Sequence, residues 1–175
     1  YFFKKNNVSF IRHFCINSLF TKNTSILFLG SKELDFFNKI FPKKKAKSIF
    51  FKFRIDDIFW SKREKNRDQV EPYILFIGND MRRDYELVYQ ISKKIRNLKL
   101  NIISNSFQKK FHGNIKNVII TGFIKGKFSF SDEQLRKIIQ EAVCVILPIK
   151  DTLQPSGQSV ALQSIACKTP VLISL

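Results

Sequence analysis

The sequence predicts an α/β fold, a doubly wound parallel sheet preceded by part of a second α/β domain. Two observations lead there. From Tyr73 onward, short β-rich runs alternate with amphipathic helical stretches. Strands alternating with helices in this way argue for a parallel sheet covered on both faces. Second, Leu147 to Val171 reads as strand, glycine-containing loop, helix and next strand. Right-handed crossovers make a Rossmann-like strand order the default.

Upstream, Ser25 to Leu29 and Ile49 to Phe53 read as strands separated by a helical segment, Glu33 to Phe41. These fall in a first unit, residues 1–56. Residues 57–72, polar and charged after Trp60, read as a linker, and residues 73–175 as the main domain. There Tyr73 to Ile77 is a strand ending at Gly78. A helix follows, with Leu87, Val88, Ile91, Ile95 and Leu98 on one face and Asp84 as N-cap. Leu100 to Ser104 and Val118 to Thr121 are the next strands. Ser131 and Gln134 suit a capping box for a helix carrying Leu135, Ile138, Ile139 and Ala142. Val143 to Leu147 and Val171 to Ile173 complete five strands.

Between the last two strands, Gln154 to Gly157 is turn chemistry, and Val160, Ala161, Ile165 and Ala166 recur at helical spacing, with Ser156 or Ser159 available as cap. The first N–H groups of a helix lack intrahelical partners and carry the positive end of its dipole, so Ser156, Gly157, Gln158 and Ser159 form a candidate diphosphate site. An ordinary capped helix is the competing reading. In a doubly wound sheet the first and fourth strands are neighbours at the switch point. The basic loop Asn79 to Arg83 and the loop Ile149 to Ser159 then flank one crevice.

The net charge of +17 raises nucleic acid or an anionic membrane surface as partners. Yet Phe, Ile, Asn and Lys are abundant while Gly and Pro are scarce, a bias that A+T-rich coding imposes regardless of function. Lys43, Lys44, Lys45 and Lys47 form the one dense run, read as a solvated loop. Against a cytoplasmic leaflet each Lys would add roughly 1 kcal/mol of attraction. Cys15, Cys144 and Cys167 lack CxxC spacing and read as reduced, buried thiols. His13 and His112 have no ligand-spaced neighbours, and Asp56-Asp57 reads as turn chemistry beside a hydrophobic anchor, so no metal site is expected. No apolar run approaches the roughly eighteen residues of a membrane span. The expected location is cytoplasmic, either free or in peripheral contact with the inner face of the membrane. Because the chain opens on Tyr1 and stops at Leu175 after an apolar run, it reads as a fragment.

Residues 154–171, QPSGQSVALQ then SIACKTPV, resemble the donor-site signature of GT-B glycosyltransferases of the retaining family 4 type. Residues 78–88 resemble the loop opening that family's donor domain, and Ser31-Lys32-Glu33 through Phe53-Arg54-Ile55-Asp56 resemble the end of its acceptor domain. The resemblance implies a nucleoside-diphosphate sugar as substrate, no cofactor, and a glycan, lipid-linked or protein acceptor. It places Arg83 as the cation on the leaving diphosphate, Gln163 on the ribose with Gln154 or Gln158 toward the donor sugar, and Gly122, Phe123 and Ile124 in the base-binding loop. Two departures stand out. Asn79 replaces an expected Arg, for which Arg82 or Lys150 could compensate, and Pro155 replaces an expected Glu.

The implied chemistry is metal-independent sugar transfer with retention, in which charge growing on the departing diphosphate is met by Arg83 and the N–H groups around Gly157. The acceptor side would come largely from outside this fragment, which is expected to turn nothing over by itself. Competing readings are an epimerase or phosphorylase of the same architecture, a donor-binding domain without turnover, and a basic nucleic-acid binder.

Overall fold

A computed structural model of the chain describes residues 14–15, 18–43, 45–62, 71–110, 116–124 and 127–174. His13, Lys44 and His112, named above, lie outside the described residues. The chain forms two compact units, Tyr1–Lys52 with Leu153–Pro155, and Phe53–Thr152 with Ser156–Leu175.

In the first unit, β1 (Ser25–Phe28) pairs in parallel with β2 (Lys47–Phe50), and α1 (Ser31–Ile40) connects them. The second strand starts two residues before Ile49, because Lys47 N–H bonds the Thr24 carbonyl and extends the β1 register backward (2.9 Å). Phe28, Phe37 and Phe41 are buried with Phe20 packed against them, ring centroids lying 4.9–5.4 Å apart. Lys43, Lys45 and Lys47 are solvated, the last of them on β2 and not in a loop. Residues 153–155 belong to this unit, where Gln154 Nε2 donates to Glu33 Oε1 (3.4 Å).

The second unit is built on a parallel sheet of five strands in the order β5-β4-β3-β8-β9. These are β3 (Tyr73–Ile77), β4 (Lys99–Ile103), β5 (Val118–Thr121), β8 (Cys144–Leu147) and β9 (Val171–Ile173), with a small antiparallel pair, β6 (Phe123–Ile124) and β7 (Lys127–Phe128), after β5. The helices are α2 (Asp57–Ser61), α3 (Tyr85–Lys94), α4 (Asn105–Lys110), α5 (Asp132–Glu141) and α6 (Gln158–Ala166). Period-two alternation along the strands feeds two cores. Phe76, Leu100, Ile102 and Ile146 pack with Tyr85 and Val88 of α3 and Phe107 of α4. Leu75, Ile77, Val145 and Leu147 pack with Leu135 and Ile139 of α5, Val160 of α6 and Trp60 of α2. Helices therefore cover both faces, and β3 lies beside β8 as a doubly wound order requires.

Two predicted caps are present: Asp84 accepts from Leu87 N–H (3.1 Å), and Ser131 with Gln134 forms the reciprocal box on α5. The third differs, since the N-cap of α6 is Gly157 and makes no side-chain bond, so neither Ser156 nor Ser159 is the cap. The linker expected at 57–72 also needs correction at its start. Asp56 caps α2 by accepting from Phe59 N–H (3.0 Å), and Trp60 is buried in the core of the second unit. Residues 63–70 lie outside the described residues.

At the C-terminal end of α2 the carbonyls of Phe59, Trp60 and Lys62 accept from Arg136 Nη1 (3.1 Å), Cys167 Sγ (3.3 Å) and Gln140 Nε2 (2.9 Å). Orphan helix carbonyls are thus satisfied by the facing α5 and the end of α6, and a cation suits the negative end of the dipole. Arg136 also stacks over the Phe59 ring (4.5 Å). Of the cysteines, Cys167 is buried and Cys144 half-buried, whereas Cys15 is exposed, so the buried reading fails for that one. No helix among the described residues is long and apolar enough to cross a membrane.

Burial pushes the Cys167 thiol up to about 11 from its ordinary value of 9.0. Above pH 9 the unfolded chain therefore ionises this thiol while the folded chain keeps it neutral. The thiol's contribution to stability is complete below pH 9 and is lost as the pH rises toward 11. Urea midpoints measured from pH 8 upward are expected to fall more steeply for the wild type than for Cys167→Ala over that window; parallel profiles would contradict it.

Candidate functional site

The candidate site lies in the second unit at the carboxyl ends of β3 and β8. The loops after these strands are zipped together: Asp84 N–H bonds the Pro148 carbonyl (2.9 Å), Lys150 N–H bonds the Arg82 carbonyl (2.9 Å), and Arg83 bridges Ile149. This register turns the Arg83 side chain inward, leaving the residue 3% exposed.

Two glycines make room for it. A Cβ on Gly78 would fall on the Arg83 side chain, 2.9 Å from its Cγ and Cδ, and a Cβ on Gly157 would collide with Nη1. Gly157 also has φ +78°, a left-handed conformation that glycine adopts without steric cost. Arg83 Nη1 donates to Ser156 Oγ (3.2 Å), and Ser156 Oγ donates in turn to the Asp80 carboxylate (3.0 and 3.1 Å). Arg83 Nε stands 3.8 Å from Asp80 Oδ2 and is buried without a hydrogen-bond partner. Burial lowers the Arg83 pKa, and the neighbouring Asp80 opposes that shift. A guanidinium nonetheless stays charged near neutrality.

The electrostatic balance is unusual. A cation lies against the start of α6, the positive end of that helix, where an anion would be favoured. The first turn of α6 contains no acidic residue. The intrahelical ladder begins with Ala161 N–H on the Gly157 carbonyl (2.9 Å), so the N–H groups of Ser159 and Val160 have no partner within the helix. Ser156, Gly157, Gln158 and Ser159 are half-buried. Arg83, the helix start and Ser156 together make a corner suited to an anion with several acceptor oxygens.

Gln163 is half-buried on α6, one turn beyond Ser159. Gln154 and Pro155 belong to the first unit, where Pro155 Cδ would lie 3.0 Å from a Cβ on Gly30. Asn79 is bound to the start of α4, its Oδ1 accepting from Ser106 N–H (2.9 Å) and its carbonyl from Ser106 Oγ (3.0 Å). Lys150 is exposed and Arg82 half-buried. Gly122 follows β5 with φ +91°, and a Cβ there would come within 2.8 Å of Ile103. Phe123 and Ile124 continue from it as β6. That loop shares the sheet edge with Arg83 but lies two strands away, about 10 Å at ordinary strand spacing. Among the described residues no three His, Cys, Asp or Glu side chains group as metal ligands.

Asp80 escaped the sequence reading. Its backbone is held by Tyr85 Oη donating to the Asp80 carbonyl (2.8 Å), and its Oδ1 accepts from Arg82 N–H (2.8 Å). The Asp-X-Arg spacing hints at such a turn, whereas the contact with Ser156 spans 76 positions and leaves no local signature.

Gly157→Ala is expected to destabilise the chain by at least about 1 kcal/mol from its left-handed φ alone. In a double-mutant cycle with Arg83→Ala, removing the guanidinium should relieve the collision, giving a coupling of about 0.5 kcal/mol or more. Strictly additive denaturation free energies would show that the two side-chain positions are not in contact.

Neither a scan of protein-family models nor a search of curated proteins returns a match for this chain.

Proposed function

We propose that the second unit binds the diphosphate of a sugar nucleotide and is the donor-binding domain of a glycosyltransferase of GT-B architecture. The observation that carries this reading is the buried Arg83 guanidinium lying against the start of α6, whose N-cap Gly157 supplies no side chain, at the switch point between β3 and β8. In a sheet of this order, ligands bind outside the carboxyl ends of the strands at that point. The sequence likeness of residues 154–171 to a donor-site signature adds the sugar-nucleotide class.

In this reading the leaving diphosphate accepts from the N–H groups of Ser159 and Val160 and takes its charge balance from Arg83. Negative charge grows on the diphosphate as the glycosidic bond breaks, and groups already oriented toward it lower the barrier without reorganising. Removing one such contact costs roughly 3 kcal/mol of barrier, about a hundredfold in rate. Gln163 offers a carbonyl acceptor for a ribose hydroxyl, and the loop beginning at Gly122 lies on the same sheet edge for the base. Sugar-nucleotide binding without turnover is a second reading. It is favoured by Asn79, which stands where the family has an Arg and is committed to Ser106.

Calorimetric titration with UDP-, GDP- and ADP-sugars should reveal binding of one nucleotide class. Arg83→Gln is expected to weaken it roughly ten- to hundredfold and Gln163→Ala about fivefold, within the range for charged and neutral hydrogen bonds. Glycoside formation with a supplied acceptor separates transfer from isomerisation of the donor and from binding alone. Absence of sugar-nucleotide binding, together with steeply salt-dependent binding of oligonucleotides, would replace the proposal with a nucleic-acid function.

A further inference from the structure

We propose that Asp80 is the resident counter-ion of this anion site and is exchanged for the ligand's phosphate when the ligand binds. The inference rests on the diphosphate reading and adds which anion faces Arg83 before a ligand arrives. Arg83 is 3% exposed, is aimed at the N-cap of α6, and has an Nε with no hydrogen-bond partner. A buried cation at the positive end of a helix needs an anion, and the first turn of α6 supplies none.

Asp80 fills the deficit, but from the side. Its carboxylate accepts from Ser156 Oγ and stands 3.8 Å from Arg83 Nε, too far for a hydrogen bond. With its side chain 39% exposed, it stands at the solvent-facing edge of the corner. A phosphate oxygen entering between Arg83 and the N–H groups of α6 would carry the same sign of charge and compete for the Ser156 hydroxyl. Each partner destabilises the other, so the carboxylate sets a threshold that a dianionic diphosphate overcomes more readily than a monoanion does. The backbone of Asp80, held by Tyr85 Oη, stays in place while the carboxylate moves away from Ser156.

The test is calorimetric titration of the full chain with inorganic pyrophosphate. Asp80→Asn keeps an acceptor for Arg82 N–H and removes the charge, and Asp80→Ser keeps only a hydroxyl. Both are expected to bind pyrophosphate about fivefold more tightly than the wild type, whereas Glu86→Gln, which removes an exposed charge from α3, leaves affinity unchanged. Thermal melts accompany each titration; should Asp80→Asn fail to fold, Asp80→Ser decides. Loss of a cooperative melt in both would make Asp80 a folding determinant and overturn the exchange. Wild-type binding that both variants leave unchanged or weaken overturns the exchange alone. Pyrophosphate binding by neither the wild type nor the variants sinks the exchange and the diphosphate reading together.

Discussion

A guanidinium buried against the positive end of a helix is the constraint around which the second unit is arranged. Arg83 can occupy that position only because Gly78 and Gly157 lack side chains, because β3 and β8 are neighbours, and because backbone hydrogen bonds zip the two following loops together. A charge held in a place that electrostatics disfavours has to be compensated by an anion, and the Asp80 carboxylate, 3.8 Å from Arg83 Nε and bonded to Ser156, supplies it from the side.

The rest of the unit holds this corner still. The apolar strands β3 and β8 carry their side chains into two separate cores, so neither strand can tilt without disturbing helices on both faces. On one face, α2 is fixed through its last carbonyls by Arg136 and Gln140 of α5 and by Cys167 at the end of α6. Val160 and Ser164 anchor α6 from its buried side, leaving its first turn half-exposed beside Arg83. Rigidity and access are thereby divided along a single helix.

Much of this was legible in the sequence because it is local. Tyr73 to Ile77 could be read from an unbroken apolar run, α5 from a capping box and a helical stripe, and the α6 start from a Gly-Ser turn before small apolar residues. What the sequence hid is tertiary. The helix of residues 57–61 is only one turn and a half long and looks like linker, since its stability comes from Trp60 and from partners on α5 and α6. Ser156 and Ser159 looked like caps, yet the left-handed Gly157 takes that position because Arg83 fills the space where a side chain would lie. Asn79 read as a departure at a cation position, and only its contact with Ser106 gives it a structural task. Likewise, Arg83 could be singled out from its loop, whereas its burial and its contact with Asp80 depend on strand order.

The central claim, that the α6 start and Arg83 form one anion site, is most directly tested by following backbone amide resonances of the isotopically labelled chain during pyrophosphate addition. The account predicts saturable downfield shifts of the amide protons of residues 157–160, together with movement of the Arg83 Nε resonance. Shifts confined to the lysines between 43 and 47, with the α6 amides unmoved, would contradict it.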